Sequence, residues 1–410
     1  MNIKKILIVI GFFLFVLGIG FALYWVFFRT APSIQQPNDN QAIGNLPFIG
    51  NGNLNVVNTN GNTNGNINIL PWQPYVTDKV SEVANGGLTV VNKITEAEAS
   101  GVFTGQNGVQ FYDSNSQKFY RLDENGNMVE LSDEKFFQVD NVTWDRNGGK
   151  AILEYPDGSN ILYNFTSGQQ ITLPAEMENF SFNSNGNQIA AKWIGPTDED
   201  NWLVAANDDG SGMFLIEPLG DQSYATSVGF SPDNQVAVLH TKYVDAERQE
   251  VYPIGLNGEN FKSFKVNGAG FNYEWSPEGS SMLYSVYNQD TNYNPNLWVT
   301  KGNTSELGDI KVSLNIATWP DKCTFVGENG LYCAVPQGLP RGAGFYPEVA
   351  DRYPDNFYYI DLNSGSKTLV ASPVGDSGSY NAYNLALSPD GSILYFTDSS
   401  TGALQSIRIR

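Results

Sequence analysis

Apolar residues along this chain follow two different patterns. Residues 6–28 are a run of 23 positions without a charge. At about 1.5 Å per residue, a helix of that length spans a hydrocarbon core of roughly 30 Å. From about residue 88 the apolar residues come instead in short runs of strand length, broken by turns rich in Gly, Asn and Asp. That is the pattern of strands in an all-β domain. Between the two lies NGNLNVVNTNGNTNGNINI, low in charge and in complexity. Such a stretch buries too little apolar surface to offset its ordering entropy, although the alternation at 66–70 also suits a short strand. The chain therefore divides into a membrane anchor over 1–30, a flexible linker over 31–75 and a β domain over 76–410.

The β domain repeats itself. The unit is an apolar strand ending in an aromatic or apolar residue, a turn such as S-P-D-G, and a second apolar strand. Clear copies are GFSPDNQVAVLH (229–240), YEWSPEGSSMLYSV (273–286) and LALSPDGSILYFT (385–397), and four weaker copies complete the set. The turns fall at Asn107, Asn147, Asn185, Asp233, Glu278, Glu328 and Asp390, with gaps of 40, 38, 48, 45, 50 and 62. A period near 40–50 with four strands per unit is the signature of a β-propeller. Seven units predict seven blades, with six or eight as the alternatives. The last unit runs out after three strands, and the segment 87–94 (GLTVVNKI) is the expected missing strand that closes the ring.

These strand–turn–strand units resemble the TolB-like branch of the WD-repeat propellers, over about residues 88–410. The resemblance implies a fold and little about function. The namesake has six blades and a separate N-terminal domain, so its partner does not carry over. Within the turns, Pro presets φ, the acid accepts backbone hydrogen bonds and Gly permits positive φ, which is a structural role.

Charge narrows the partners. The chain has 43 acidic and 23 basic residues, a net charge of −20. An acidic body repels phosphate backbones, so no nucleic-acid partner is expected. Lys4 and Lys5 precede the apolar run and Arg29 follows it. This bias places the N-terminus in the cytoplasm and the β domain outside, as a single-pass protein of the cell membrane held through residues 6–28. Only two cysteines occur, Cys323 and Cys333, flanking a Gly/Asn turn. A hairpin would set them opposite each other, either as a disulfide, which an exported domain favours, or as two buried thiols.

Loop lengths single out one region. Loops between second and third strands are longest at 194–201, 243–250, 287–296 and 336–356. The last is rich in aromatic residues and arginine. Tyr287, Tyr293, Arg341, Phe345, Tyr346, Arg352 and Tyr353 are the candidate binding residues, since such side chains give large contact area with polar handles. The alternative is that the rings pack the loop onto its own blade. Catalytic signals are thin. His240 is the only histidine, no G-x-S-x-G occurs, and GDSGS (375–379) lacks a matching His and Asp. The loop from Asp290 only partly resembles a calcium loop, with Pro295 and Lys301 at two key places. No catalytic residue, no metal and no cofactor are expected. The sequence thus points away from an enzyme, toward a membrane-anchored scaffold for an envelope protein. A surface-glycan binder is the alternative, and a carboxylate-based enzyme ranks behind both.

Overall fold

The structure, a computed structural model, describes Gly18 and residues 79–410 apart from 106–107, 124–125 and 260. The expected linker and nearly all of the expected anchor helix lie outside the described residues. Among the described residues, no helix is long and apolar enough to cross a membrane.

The repeated turns form by local chemistry. In the last copy Ser388 Oγ accepts from the backbone N–H of Ser392 at 3.1 Å and of Ile393 at 2.9 Å. Asp390 Oδ1 accepts from Ser392 N at 3.0 Å, and Gly391 takes φ +67°. Bonds from Ser388 and Ser392 hold the Asp390 carboxyl down at about 2. Two other copies repeat the wiring: Ser231 Oγ receives Val236 N at 2.9 Å and Ser276 Oγ receives Ser281 N at 3.0 Å.

The strands assemble into a β-propeller of six hydrogen-bonded sheets. Five are discrete blades. Four of these have four antiparallel strands and begin with Asn141–Trp144, Met177–Phe182, Thr226–Val228 and Ala269–Trp275. The fifth begins with Cys323–Val326 and carries an extra parallel strand, Leu88–Val90, on its outer edge. The sixth sheet has seven strands and corrects the expected ring of seven separate blades. Its centre is the 14-residue strand Asn92–Gly105. One part of that strand pairs with Ala403–Arg408 (Asn92 opposite Ser406, Glu98 opposite Ala403). The other pairs with Gly108–Asp113 (Ala99 opposite Asp113, Gly105 opposite Gly108). The first and last repeats are thereby joined into one continuous ladder. Turn spacing counts repeats and carries no information about whether one long strand serves two of them. The ring closes from 92 onward, while Leu88–Val90 goes to the neighbouring blade.

Neighbouring sheets cover each other face to face, so their middle strands are buried in continuous runs, as in Gln188–Trp193, rather than alternating. Ile152 and Leu162 of one blade pack with Phe180, Ile189 and Val204 of the next. Leu283 and Leu297 meet Leu331 and Ile360 across another seam. Cys323 and Cys333 sit in that seam, directly opposite each other, and are bonded with a Cα–Cα distance of 4.0 Å. Phe325 faces Leu331 in the same register.

Polar latches add to the seams. Glu328, at the turn of the fifth discrete blade, reaches the turn of the blade before it. Its carboxylate accepts from Ser276 Oγ at 2.6 Å, Glu278 N at 2.7 Å and Ser280 N at 3.3 Å. Burial works to raise this carboxyl, but the hydrogen bonds outweigh it and hold it below its usual range.

Replacing both cysteines by alanine should cost about 2–3 kcal/mol, as removing a cross-link over a short loop does; urea unfolding of the two proteins checks it. Glu328→Ala should cost about 1–3 kcal/mol by stranding the turn donors. Because the folded pKa is lowered, this latch contributes fully above the ordinary glutamate range and is lost as pH falls through the folded value. The stability gap between wild type and variant should therefore close in acid.

Candidate functional site

The first strands of the repeats converge on the axis of the ring. At the end carrying the S-P-D-G turns they enclose a pocket of about 660 Å³. Phe103, Trp275 and Phe325 supply aromatic walls, Arg146 and Arg410 supply charge, and Glu274 supplies a carboxyl. Arg146 belongs to one blade but its guanidinium donates to the Pro277 carbonyl of another, three sheets further round. Arg410 Nη2 donates to the Asp390 carbonyl at 2.6 Å and its Nε to the Gly391 carbonyl at 2.9 Å. Both arginines are exposed, and neither forms an ion pair among the described residues.

Glu274 is the unusual group. It is half-buried and keeps contact with the pocket. Burial pushes its carboxyl up to about 8, and the nearby charge of Asp321 adds to the rise. The carboxyl is thereby biased toward its protonated form near neutral pH. Beside it, the Trp275 indole N–H is buried without a partner. A carboxyl biased toward its protonated form and two guanidinium groups thus line one axial pocket. Such a set suits acid catalysis on an anionic molecule.

The residues expected from loop length lie elsewhere, and the structure brings four of them together. The loop 336–356 leans on the neighbouring blade. Phe345 sits 4.7 Å from the Tyr287 ring and 5.3 Å from the Tyr293 ring, and Arg341 lies over Tyr293 at 5.7 Å. Backbone bonds fix the contact, from Gly342 N to the Asn292 carbonyl at 2.9 Å and from Gly344 N to the Tyr293 carbonyl at 2.8 Å. Tyr346 projects outward at 72% exposure, Arg352 is exposed and Tyr353 is half-buried. His240 bonds Thr226 Oγ1 through Nδ1 at 3.0 Å, and burial lowers its pKa. Asp290 lines a polar hollow with Asp245, Glu247 and Arg248. Among the described residues, no three His, Cys, Asp or Glu side chains are placed to hold a metal ion.

Sequence reasoning missed Glu274, although a signal existed. It stands two residues before the turn serine in YEWSPEGS, where comparable copies carry Gly229, Ala386, Thr143 and Ser181. A lone acid at that inner-strand position is the anomaly.

Solved structures share the fold. An oligogalacturonate lyase in complex with manganese aligns at 13% identity, covering 78% of this chain and 93% of its own, with a TM-score of 0.51. An oligogalacturonate lyase from Vibrio parahaemolyticus aligns at 12% identity over 78% and 93%, with a TM-score of 0.50. The Cps50 (Swd1) β-propeller domain of Myceliophteria thermophila aligns at 10% identity over 78% and 100%, with a TM-score of 0.51. No protein-family model matches the chain, and no curated protein does. At these identities the likeness concerns fold alone, a propeller related to both enzymes and other propeller domains. The sequence-based expectations of a binding scaffold and of no enzymatic role rested on missing hydrolase and histidine motifs, and they are corrected: solved structures named as oligogalacturonate lyases share this fold, so it leaves an enzymatic role open.

Glu274 also makes stability depend on pH. The folded pKa is about 8 and the unfolded one about 4.3. Between those values the folded chain holds a proton that the unfolded chain releases, so stability should fall as pH rises from about 4.5 to about 8. Glu274→Gln should flatten that slope, as thermal unfolding across the pH range would reveal.

Proposed function

We propose that this chain is an enzyme that cleaves a carboxylate-bearing oligosaccharide in the axial pocket, with Glu274 as the proton donor. One juxtaposition carries the reading: a carboxyl that burial pushes up to about 8 lines the same pocket as two guanidinium groups that form no ion pair among the described residues. In a chain of net charge −20, two arginines in one pocket that form no ion pair among the described residues favour an anionic substrate. The glycosidic C–O bond breaks either as water adds to the anomeric carbon, in hydrolysis, or as solvent hydroxide removes the ring proton beside the carboxylate, in elimination. In both the departing oxygen takes a proton, which is the role given to Glu274. Cleavage next to a uronate also requires its negative charge to be offset, a role that suits Arg146 and Arg410. The shared fold with oligogalacturonate lyases supports a uronate as the sugar. Among the described residues no three His, Cys, Asp or Glu side chains are placed to hold a metal ion, and no step is assigned to a metal.

The full chain incubated with oligogalacturonate should release new reducing ends, and ultraviolet absorbance of an unsaturated product would mark elimination. Activity should fall as pH rises through about 8, where Glu274 loses its proton. Glu274→Gln should lower kcat by roughly 10²- to 10⁴-fold. Equal turnover of a neutral oligosaccharide, or an undiminished Glu274→Gln variant, would sink the reading.

A further inference from the structure

One contact crosses the mouth of the axial pocket. Other turns at that end of the ring are tied to adjacent turns. Ser184 Oγ donates to the Pro232 carbonyl of the next blade at 2.6 Å, and Glu328 reaches back to Ser276 of the blade before it. Arg146 departs from this. It stands in the turn of the blade that begins with Asn141–Trp144, and its guanidinium donates to the Pro277 carbonyl, three sheets away in a ring of six. Three sheets in six is the far side. The side chain therefore spans an opening that both residues line.

The sequence marks the same position. In the three clear copies the turn serine is followed by Pro232, Pro277 and Pro389. The corresponding place in D-R-N-G is Arg146. Proline serves such a turn by presetting φ, whereas arginine adds a long cationic arm. Both ends of the contact are fixed. Asp145 Oδ1 accepts from Lys150 N at 2.7 Å, and the Asp145 carbonyl accepts from Gly148 N at 2.9 Å. On the far side the Pro277 turn is held by Glu328, which accepts from Glu278 N at 2.7 Å. What can move is the exposed arginine side chain between them. Its acceptor is a poor match. A guanidinium carries five N–H donors in a fork that fits a carboxylate through two parallel bonds. One neutral carbonyl uses little of that capacity, and charge-assisted bonds are the stronger kind.

We infer that Arg146 is a bar across the mouth of the axial pocket, released when a ligand's carboxylate takes its guanidinium in exchange for the Pro277 carbonyl. This rests on the reading that an anionic oligosaccharide occupies the pocket. The exchange replaces one neutral acceptor by a charged, two-pronged one, so a uronate chain opens the pocket at a gain. A neutral chain displaces the arm at a net loss, because it offers no carboxylate in return. Arg146 thus sorts ligands at entry, before any bond is broken. Arg410 differs, since its bonds to the Asp390 and Gly391 carbonyls lie within its own sheet and cross nothing.

Surface plasmon resonance on the immobilised full chain tests this, with trigalacturonate and neutral galactotriose as probes. A Glu274→Gln background keeps either from being consumed. Removing an attractive charge slows the association of an anion, whereas removing a bar speeds it. Arg146→Ala should therefore raise the association rate of trigalacturonate roughly two- to tenfold, the equivalent of one net hydrogen bond. Faster dissociation should still weaken its affinity, by roughly ten- to hundredfold, as the loss of bonds to a charged group does. Galactotriose should bind the variant more tightly than the parent, by roughly two- to tenfold. Arg146→Pro, which restores the residue of the other copies, should behave alike and serves if the alanine variant fails to fold. Slower association of trigalacturonate, or an unchanged preference over galactotriose, would overturn the bar and leave the anion pocket standing. No saturable binding of trigalacturonate by the parent would remove the reading beneath it, and the bar as well.

Discussion

Everything in this domain depends on the covering of one sheet by the next. A four-stranded sheet with apolar residues on both faces, such as the one containing Ile189, Ala191 and Val204, has no stable existence alone. It needs a neighbour on each side, and the neighbours need neighbours. Only a closed ring leaves no face uncovered. The disulfide between Cys323 and Cys333 and the carboxylate of Glu328 reinforce this packing at the blades where they occur. Residues of widely separated sequence, such as Arg146 and Pro277, meet only because the ring is closed.

That dependence explains what could be read in the sequence. Turn chemistry is local, so the copies around Ser231, Ser276 and Ser388 announce themselves within a few residues. The pairing of Cys323 with Cys333 is equally local, because a short hairpin fixes its own register. The fusion of the end repeats was not legible. It requires one strand to serve Ala403–Arg408 and Gly108–Asp113 at once, and that is decided by how the ring fits together rather than by anything within residues 92–105.

The axial pocket was illegible for the same reason. No segment around Glu274 contains its surroundings. Asp321, whose charge reaches it, and the arginines at positions 146 and 410 are all distant from it in sequence. By contrast, the long loop 336–356 attracts attention in the sequence because length and composition are visible there. Its Phe345 packs on Tyr287 and Tyr293 of the neighbouring blade, a contact between blades. Loop length marks where a chain departs from its repeat. A lone acid inside the repeat, as in YEWSPEGS, marks where a position in the shared scaffold has changed its chemistry.

The double duty of the strand Asn92–Gly105 also sets an order of events during synthesis. Its partner Gly108–Asp113 follows almost at once, so that half of the ladder can form while translation continues. Its other partner, Ala403–Arg408, leaves the ribosome only after all five discrete blades have done so. The edge at 92–98 must stay open through most of the chain's production. A nascent chain with an unpaired edge of that kind is exposed to rival strands, and Lys93, Glu96 and Glu98 place charges along it that discourage them.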